Sequence, residues 1–183
     1  METVNENQKL NMIDSKAFSD KIKETPEENM KKFYRYKFMF GNLNESIKAG
    51  YYLQAVFIEY AIIEDRASSI IAHTLGENKT KTNKGKPKNL ADKIKMIKGY
   101  ARDDKSDAWM KKYLSADLLD QIEDWKGRRN RCVHALMLRF DSQDELAQLA
   151  EEGRTIARAF SDIAGKVRKH SEKISQRKAT KKK

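Results

Sequence analysis

The side chains with the clearest chemical potential lie in one short stretch, from Trp125 to Leu136. Arg129 and His134 are separated by four residues there, and an amide, Asn130, directly follows the arginine. Arginine holds a positive charge against phosphate at any physiological pH, whereas histidine takes up and returns a proton near neutrality. Cleavage of a phosphodiester without a metal needs both properties. Arg129, His134 and Asn130 are therefore the candidate catalytic residues.

Arg129 occupies an unusual position in the helix that this stretch predicts. It falls where the three- and four-residue repeat requires an apolar residue, and the apolar members of that repeat are Leu118, Ile122, Trp125, Val133, Leu136 and Phe140. A charge on an inward face is costly unless it is paired or borders a water-filled cleft. We therefore expect either a buried ion pair or an arginine held to meet a phosphate, and one orienting acid would be compatible with both. The candidate acids on the second predicted helix are Glu59, Glu64 and Asp65.

The geometry of an ideal helix constrains how these residues can act together. Asn130 and His134 lie one turn apart on the same face, so the amide could fix the imidazole tautomer or contact a phosphate. Arg129 and His134 differ by five positions, about 140° around the helix. Their convergence requires the length of the arginine, a local distortion near Gly127, or a second copy of the site across a dimer axis. Cys132 and His134 are about 200° apart, which argues against a cysteine nucleophile.

Structural roles are the alternative for both candidates. A lone histidine on a helix is more often a surface or satisfied core residue than a catalyst, and Arg129 could serve only in an ion pair. Arg128 also fits a looser spacing to His134, although no amide directly follows it. The sequence leaves these alternatives open.

Composition limits the class of protein. The chain has 183 residues, enough for one domain with a substantial core. Its single cysteine excludes an internal disulfide framework and a multi-cysteine zinc site, and it has no phosphate-binding loop of Walker type. We therefore predict neither a metal nor another cofactor. No apolar segment resembles a signal peptide or is long enough to span a membrane, so we expect a cytoplasmic protein.

The net charge of +11 is unevenly distributed. Residues 165–183 contribute +8 and the loop 76–88 contributes +4, so the rest of the chain is nearly neutral. Flexible basic segments suit a polyanion, most often nucleic acid, although a solubilising tail is an equally good interpretation of the tail alone. RNA is the expected partner. The residues expected to contact it are Arg128 and Arg131 beside the site, with Lys79, Lys81, Lys84, Lys86 and Lys88 in the loop.

Hydrophobic periodicity predicts an all-α protein, an antiparallel bundle of four long helices plus shorter helices. Residues 1–24 are expected to form an N-terminal arm with a short helix, and residues 25–174 the bundle. Residues 175–183 are expected to be a basic disordered tail. No strand-like alternation of any length and no internal repeat is present in the sequence.

Local signals place several of the helices. Thr25 and Glu28 have the spacing of a capping box, and Asn89 can cap a later helix. The first helix should bury one apolar face, formed by Met30, Phe33, Tyr36, Phe40, Leu43 and Ile47. The second, over residues 51–75, is apolar around much of its circumference and should pack on several sides. In the last helix, Gly153 lies where a neighbour must approach closely.

The spacing of Arg129, Asn130 and His134 resembles the motif of HEPN-superfamily proteins. In that motif an arginine and a polar residue are followed by a histidine four to six residues after the arginine. It lies on a late helix of a small helical bundle, which matches its predicted place in this chain. The resemblance covers the bundle from about residue 27 to residue 170 and implies a HEPN-like fold.

The resemblance implies a metal-independent endoribonuclease, typically a homodimer with two motifs facing each other. His134 would remove the proton of a ribose 2′-hydroxyl or donate one to the leaving 5′-oxygen. Arg129 would stabilise the charge on the phosphate, and Asn130 would position one of the two. The products would carry 2′,3′-cyclic phosphate and 5′-hydroxyl ends.

The same resemblance widens the range of biological roles and partners. Family members often act as toxins or as antiviral defence effectors against phage, so an antitoxin or another protein partner is a further candidate. Other members have lost catalysis and only bind nucleic acid or a partner. A non-catalytic RNA-binding or regulatory bundle is therefore the alternative function.

Overall fold

The computed structural model describes residues 25–103, 106, 108–136 and 143–180, and their regular structure is helical. The α-helices are α1 (Pro26–Lys48), α2 (Tyr52–Thr74), α3 (Leu90–Arg102), α4 (Ala108–Tyr113), α5 (Ala116–Ala135) and α6 (Gln143–Thr180). Residues Glu77–Thr80 form a short 3-10 helix, and the described residues contain no strand beyond an isolated bridge between Lys81 and Pro87. The predicted all-α class is confirmed for this part of the chain. No helix within it is both long enough and apolar enough to cross a membrane.

Short-range capping sets the starts of α1 and α3. The Thr25 hydroxyl accepts a hydrogen bond from the Glu28 amide at 3.2 Å, and the Thr25 amide donates to the Glu28 carboxylate at 2.7 Å. The Asn89 side chain accepts from the Asp92 amide at 2.9 Å. Each cap satisfies an amide that the first turn leaves without an intrahelical partner. Both predicted caps are confirmed.

Helices α2 and α6 form the centre of the fold and pack on each other more extensively than any other pair. Gly153 of α6 makes this contact close, because a Cβ atom there would lie 2.1 Å from Glu59 Oε2 and 2.8 Å from Trp125 Nε1. The Trp125 indole of α5 is fully buried and donates to the Leu149 carbonyl of α6 at 2.9 Å. The close approach predicted at Gly153 is therefore confirmed.

Helix α1 packs on α2 and more lightly on α6, and this leaves part of its apolar face uncovered. Leu43 and Ile47 are buried as predicted, but Met30 is 54% and Phe33 61% exposed. On α2 the expected packing on several sides is also incomplete, since Phe57 is 49% exposed. Periodicity identifies which residues share a helix face, whereas burial depends on how far a neighbouring helix extends along that face.

The ends of the helices differ from the predicted boundaries in one respect. Helix α6 continues to Thr180, so residues 175–180 are helical and not part of a disordered tail. These residues contain no glycine or proline and are rich in lysine, arginine, glutamine and alanine, all of which favour a helix. The short helix expected before residue 25 and the apolar position Phe140 lie outside the described residues.

Candidate functional site

Arg129 lies on α5 with its guanidinium against two aromatic rings of α2. Its central carbon is 4.8 Å from the ring centroid of Phe57 and 4.8 Å from that of Tyr60. Its Nη1 donates to the Asn130 side-chain oxygen at 3.2 Å, while its Nε is buried and has no partner among the described residues. The half-buried cation is held by ring faces and one amide, with a donor left over.

Two of the three acids expected to pair with Arg129 are engaged elsewhere. Glu64 accepts a hydrogen bond from Lys93 Nζ at 3.2 Å, and Asp65 accepts one from the Tyr36 hydroxyl. No carboxylate of the described residues forms a salt bridge with Arg129. Among the described residues the rings of Phe57 and Tyr60, and no carboxylate, contact the Arg129 guanidinium, so an orienting acid stays a prediction.

Glu59 is excluded as a counter-ion by its own protonation. Its side chain is fully buried beside Gly153, and neither oxygen has a hydrogen-bond partner among the described residues. Burial raises the pKa of Glu59 to about 9, with Arg154 acting against this change and Glu151 adding to it. The carboxyl is therefore neutral at pH 7 and offers no charge to an arginine.

Asn130 and His134 lie one turn apart near the end of α5, but in different surroundings. Asn130 is half-buried, and its carbonyl oxygen accepts the hydrogen bond from Arg129. His134 is exposed in the last turn of the helix. The structure therefore brings Arg129 and Asn130 together. Within the described part of this single chain, no contact joins Arg129 to His134.

Arg128 is tied into the fold by two carboxylates. Its Nε donates to Asp124 at 2.8 Å, and its Nη2 forms an ion pair with Glu152 of α6. These partners raise the pKa of Arg128, with the hydrogen bond to Glu152 as the main cause. Arg128 is therefore paired with carboxylates within the fold, and its contact with RNA stays a prediction; Arg129 has no carboxylate partner among the described residues.

Arg131 and the lysine loop remain exposed cationic groups. Arg131 lies on α5 with its guanidinium near Gly127. The loop is ordered by backbone hydrogen bonds from Thr82 to Lys86 at 2.7 Å and from Lys88 to Thr80 at 3.0 Å. Its lysines are exposed except for Lys88, which is half-buried and donates to a loop carbonyl; the exposed ones are Lys79, Lys81, Lys84 and Lys86.

The lysine loop ends beside the Arg129 site. Burial and the charge of Glu64 raise the pKa of Tyr60, while Arg129 and a hydrogen bond from the Leu90 backbone act in the opposite direction. The Leu90 backbone therefore lies next to the same tyrosine that packs on Arg129.

Sequence reasoning missed Phe57 and Tyr60 as parts of the site. Periodicity alone assigns both to the apolar circumference of α2, because aromatic residues at helical spacing usually pack inward. A usable signal was present in the combination of an arginine within one apolar face and surplus aromatic residues on another helix. Guanidinium groups stack on ring faces, so such an arginine does not require a carboxylate.

The other reactive groups near the motif are unsuited to chemistry. The Cys132 side chain is 2% exposed, and burial raises the pKa of its thiol, with Glu145 adding to the change. A buried thiol of raised pKa is a poor nucleophile. In the described part of the chain, no three histidine, cysteine or acidic side chains are grouped closely enough to hold a metal ion.

Comparisons of the chain with protein-family models, with curated proteins and with solved structures each gave no match.

Proposed function

We propose that this chain is a HEPN-type, metal-independent endoribonuclease that acts as a homodimer. The observation that best supports the proposal is the environment of Arg129. An arginine that is half-buried, stacked against two rings and free of any carboxylate partner among the described residues is ready to receive an anion. The arrangement also fixes the guanidinium in place before RNA binds, which lowers the entropic cost of binding.

The proposed chemistry divides between charge stabilisation and proton transfer. Arg129 stabilises the negative charge that develops on the phosphate, and Asn130 holds the guanidinium through the 3.2 Å hydrogen bond. His134 assists proton removal from the 2′-hydroxyl or donates a proton to the leaving 5′-oxygen. The products carry 2′,3′-cyclic phosphate and 5′-hydroxyl ends. Such an enzyme suits a toxin or an antiviral defence effector.

A second copy of the chain completes the proposed site. Arg129 and His134 point in directions about 140° apart on one helix, so one subunit does not easily bring both to one phosphate. Large exposed apolar side chains are concentrated on α1 and the beginning of α2; they are Met30, Phe33, Tyr34, Phe38, Tyr51, Leu53 and Phe57. Exposed apolar side chains grouped on neighbouring helices are typical of interfaces. Phe57 belongs to this surface and also contacts Arg129, so a partner bound there would lie over the guanidinium.

The catalytic proposal is tested by incubating the purified chain with RNA in excess EDTA. We expect cleavage, with cyclic phosphate termini detectable by mass spectrometry. Arg129→Ala and His134→Ala should each reduce the rate by about 10²–10⁴-fold. Arg158→Ala is the control, since it removes an exposed arginine of α6 that belongs neither to the motif nor to the expected RNA contacts. Full cleavage by both motif variants would rule the proposal out.

The composite site is tested by mixing two inactive variants. In a dimer whose sites each combine Arg129 of one chain with His134 of the other, one of the two sites in every mixed dimer is intact. An equimolar mixture of Arg129→Ala and His134→Ala chains should therefore recover about a quarter of the wild-type rate. A site contained within one chain predicts no recovery. Subunits of the two variants are exchanged after dilution below the dimer dissociation constant. Sedimentation, measured in parallel, gives the fraction of the protein that is dimeric.

RNA binding without cleavage is the second candidate function, and the lysine loop favours it. Four exposed lysines on one ordered loop form a cationic surface whether or not the motif is catalytic. Binding through them should weaken steeply with salt and survive His134→Ala. Salt-sensitive binding with no cleavage by the wild-type chain would select this function over the first.

A further inference from the structure

A second, separate cationic site lies between α1, α2 and α6. These three helices line a cavity of about 240 Å³ that is open to solvent on one side. Its polar and charged lining residues come from all three helices; they are Asn29, Lys32, Arg66, Ser69, Ser161, Asp162 and Arg168. The volume is below the range of about 300–1,000 Å³ found for drug-sized ligands, so the cavity suits a small polar group.

Two arginines converge in this cavity from different helices. Arg66 of α2 and Arg168 of α6 both line it. Burial is the main cause of the lowered pKa of Arg66, Tyr36 and Asp65 act in the opposite direction, and the charge of Arg168 adds the smallest lowering effect. Like charges that approach each other inside a protein are unfavourable unless an anion lies between them. Asp162 is the only carboxylate in the lining, while Glu172 accepts from Arg168 Nη1 at 3.3 Å outside it.

Both arginines are held in fixed orientations. The Arg66 guanidinium lies 3.3 Å over the ring of Tyr36, whose hydroxyl donates to Asp65. Arg168 Nη1 also donates to the Asn29 side-chain oxygen at 3.1 Å. Stacking and these neighbours fix the two guanidinium groups before any ligand arrives, as an anion site requires.

Two buried polar atoms of the lining residues have no hydrogen-bond partner in the part of the chain that the structure describes. Arg66 Nε and Ser161 Oγ are inaccessible, and neither has a hydrogen-bond partner among the described residues. Such atoms are rare in folded proteins and indicate a site for a further polar group. A donor nitrogen and a hydroxyl are both suited to phosphate oxygens.

We propose that this cavity binds a phosphate group, with Arg66 and Arg168 supplying the charge and Ser161 a hydroxyl donor. The site is distinct from the Arg129 site. Arg66 follows Phe57 by nine residues on one continuous helix, a separation of roughly 14 Å along its axis. The proposal therefore does not rest on ribonuclease activity. The phosphate belongs either to a free anion or to the end of a nucleotide chain.

The test is calorimetric titration of the full chain at constant ionic strength. The ligands are inorganic phosphate and two deoxytrinucleotides, one with a 5′-phosphate and one with a 5′-hydroxyl. Deoxy chains lack the 2′-hydroxyl, so the proposed nuclease cannot cleave them. We expect Arg66→Gln and Arg168→Gln to weaken phosphate binding on the order of tenfold, and Ser161→Ala to weaken it less. Arg158→Gln is the control, because it removes an exposed arginine of α6 that donates to Asn44.

The outcomes separate the sources of the phosphate. Binding of inorganic phosphate that depends on the two arginines supports a free anion, and arginine-dependent binding of the 5′-phosphorylated chain alone supports a nucleotide end. If Arg66→Gln does not fold, judged by circular dichroism, Arg168→Gln and Ser161→Ala provide the test. The proposal fails if neither phosphate ligand binds, or if Arg158→Gln weakens binding as much as the cavity variants do. It also fails if the 5′-hydroxyl chain binds as tightly as the phosphorylated one and free phosphate does not bind.

Discussion

Two neighbouring arginines on different sides of α5 have opposite kinds of surroundings. On the side that faces α6, Arg128 is bound to Asp124 and Glu152, so its charge is neutralised within the fold. On the side that faces α2, Arg129 is held by Phe57 and Tyr60 and has no carboxylate partner among the described residues. The charge of Arg128 takes part in ion pairs within the fold, whereas the positive charge of Arg129 remains available to an anion. Adjacent residues of the same type therefore have different expected roles.

The contrast extends to the unpaired groups of the interior. Glu59 is buried with no hydrogen-bond partner in the described ranges and becomes neutral, with a pKa of about 9. An arginine cannot become neutral in this way, because its guanidinium stays protonated in proteins. Arg129 must keep its charge, and the ring faces of Phe57 and Tyr60 are the means by which the fold accommodates it.

The largest predicted effect is the loss of cleavage rate when Arg129 is replaced by lysine. Arg129→Lys keeps the charge but loses the planar group that stacks against two rings and presents several donors. Cleavage should fall by about 10²-fold, because fewer donors reach the developing charge. The free energy of unfolding should change by less than about 1 kcal/mol, since an exposed ammonium end can reach solvent. Initial rates and urea unfolding measure the two quantities.

Arg128→Lys is the matched variant on the other side of α5. It should leave the cleavage rate within about threefold of the wild type, because Arg128 points to carboxylates and not to the proposed site. Equal losses of rate in the two lysine variants would remove the functional distinction between the two sides.

The next largest effect concerns the neutral carboxyl of Glu59. Its pKa in the folded protein is raised from 4.5 to about 9, so the folded state retains a proton that the unfolded chain has released between those values. The free energy of unfolding should therefore fall as pH rises from about 5 to 9, by up to about 1.4 kcal/mol per unit. Glu59→Gln should flatten this dependence and be the more stable form at pH 9. Urea unfolding at several pH values measures it.

Glu45→Gln is the control for this pH dependence. Glu45 is an exposed residue that pairs with Lys48 at 3.4 Å on the surface of α1, so its removal should leave the slope unchanged. A wild-type chain whose stability is constant from pH 6 to pH 9 would contradict a buried neutral Glu59.

A smaller effect is expected at the close approach of α2, α5 and α6. In Gly153→Ala the new methyl group meets the Glu59 carboxyl at 2.1 Å and the Trp125 nitrogen at 2.8 Å, so buried groups must move. We expect a loss of about 1–3 kcal/mol in the free energy of unfolding. Gly165→Ala, in the same helix with nothing within 4 Å, should instead be stabilising by up to about 1 kcal/mol. If Gly153→Ala left the free energy of unfolding unchanged, the contact of α2, α5 and α6 would be shown to relax around the new methyl group.

Features set by residues close in sequence were predictable. The caps at Thr25 and Asn89 depend on side chains three positions from the amides that they bind. The close approach at Gly153 followed from a small residue in an otherwise regular apolar face, and the position of Arg129 in such a face indicated its partial burial. These predictions needed only the period of a helix and the chemistry of single residues.

Features set by the meeting of distant helices were not predictable. Phe57 and Arg129 lie 72 residues apart, and nothing local distinguishes an aromatic partner from a carboxylate one. The convergence of Arg66 and Arg168 likewise depends on the relative placement of α2 and α6. Exposure of the first part of α1 depends on where its neighbours end. Each of these requires the tertiary arrangement, which periodicity alone does not specify.

The smallest effect tests whether the paired side of α5 contributes to stability at all. Arg128 and Glu152 are each about one-third exposed, so solvent reduces the strength of their attraction. A double-mutant cycle with Arg128→Ala and Glu152→Ala should give a coupling energy of about 0.5–1 kcal/mol that shrinks at high salt. A coupling of zero would mean that the carboxylates do not hold Arg128 in place. Arg128 would then be free to contact RNA. The two arginines would still differ in the side chains around them, but the ion pair of Arg128 would contribute nothing to the free energy of unfolding.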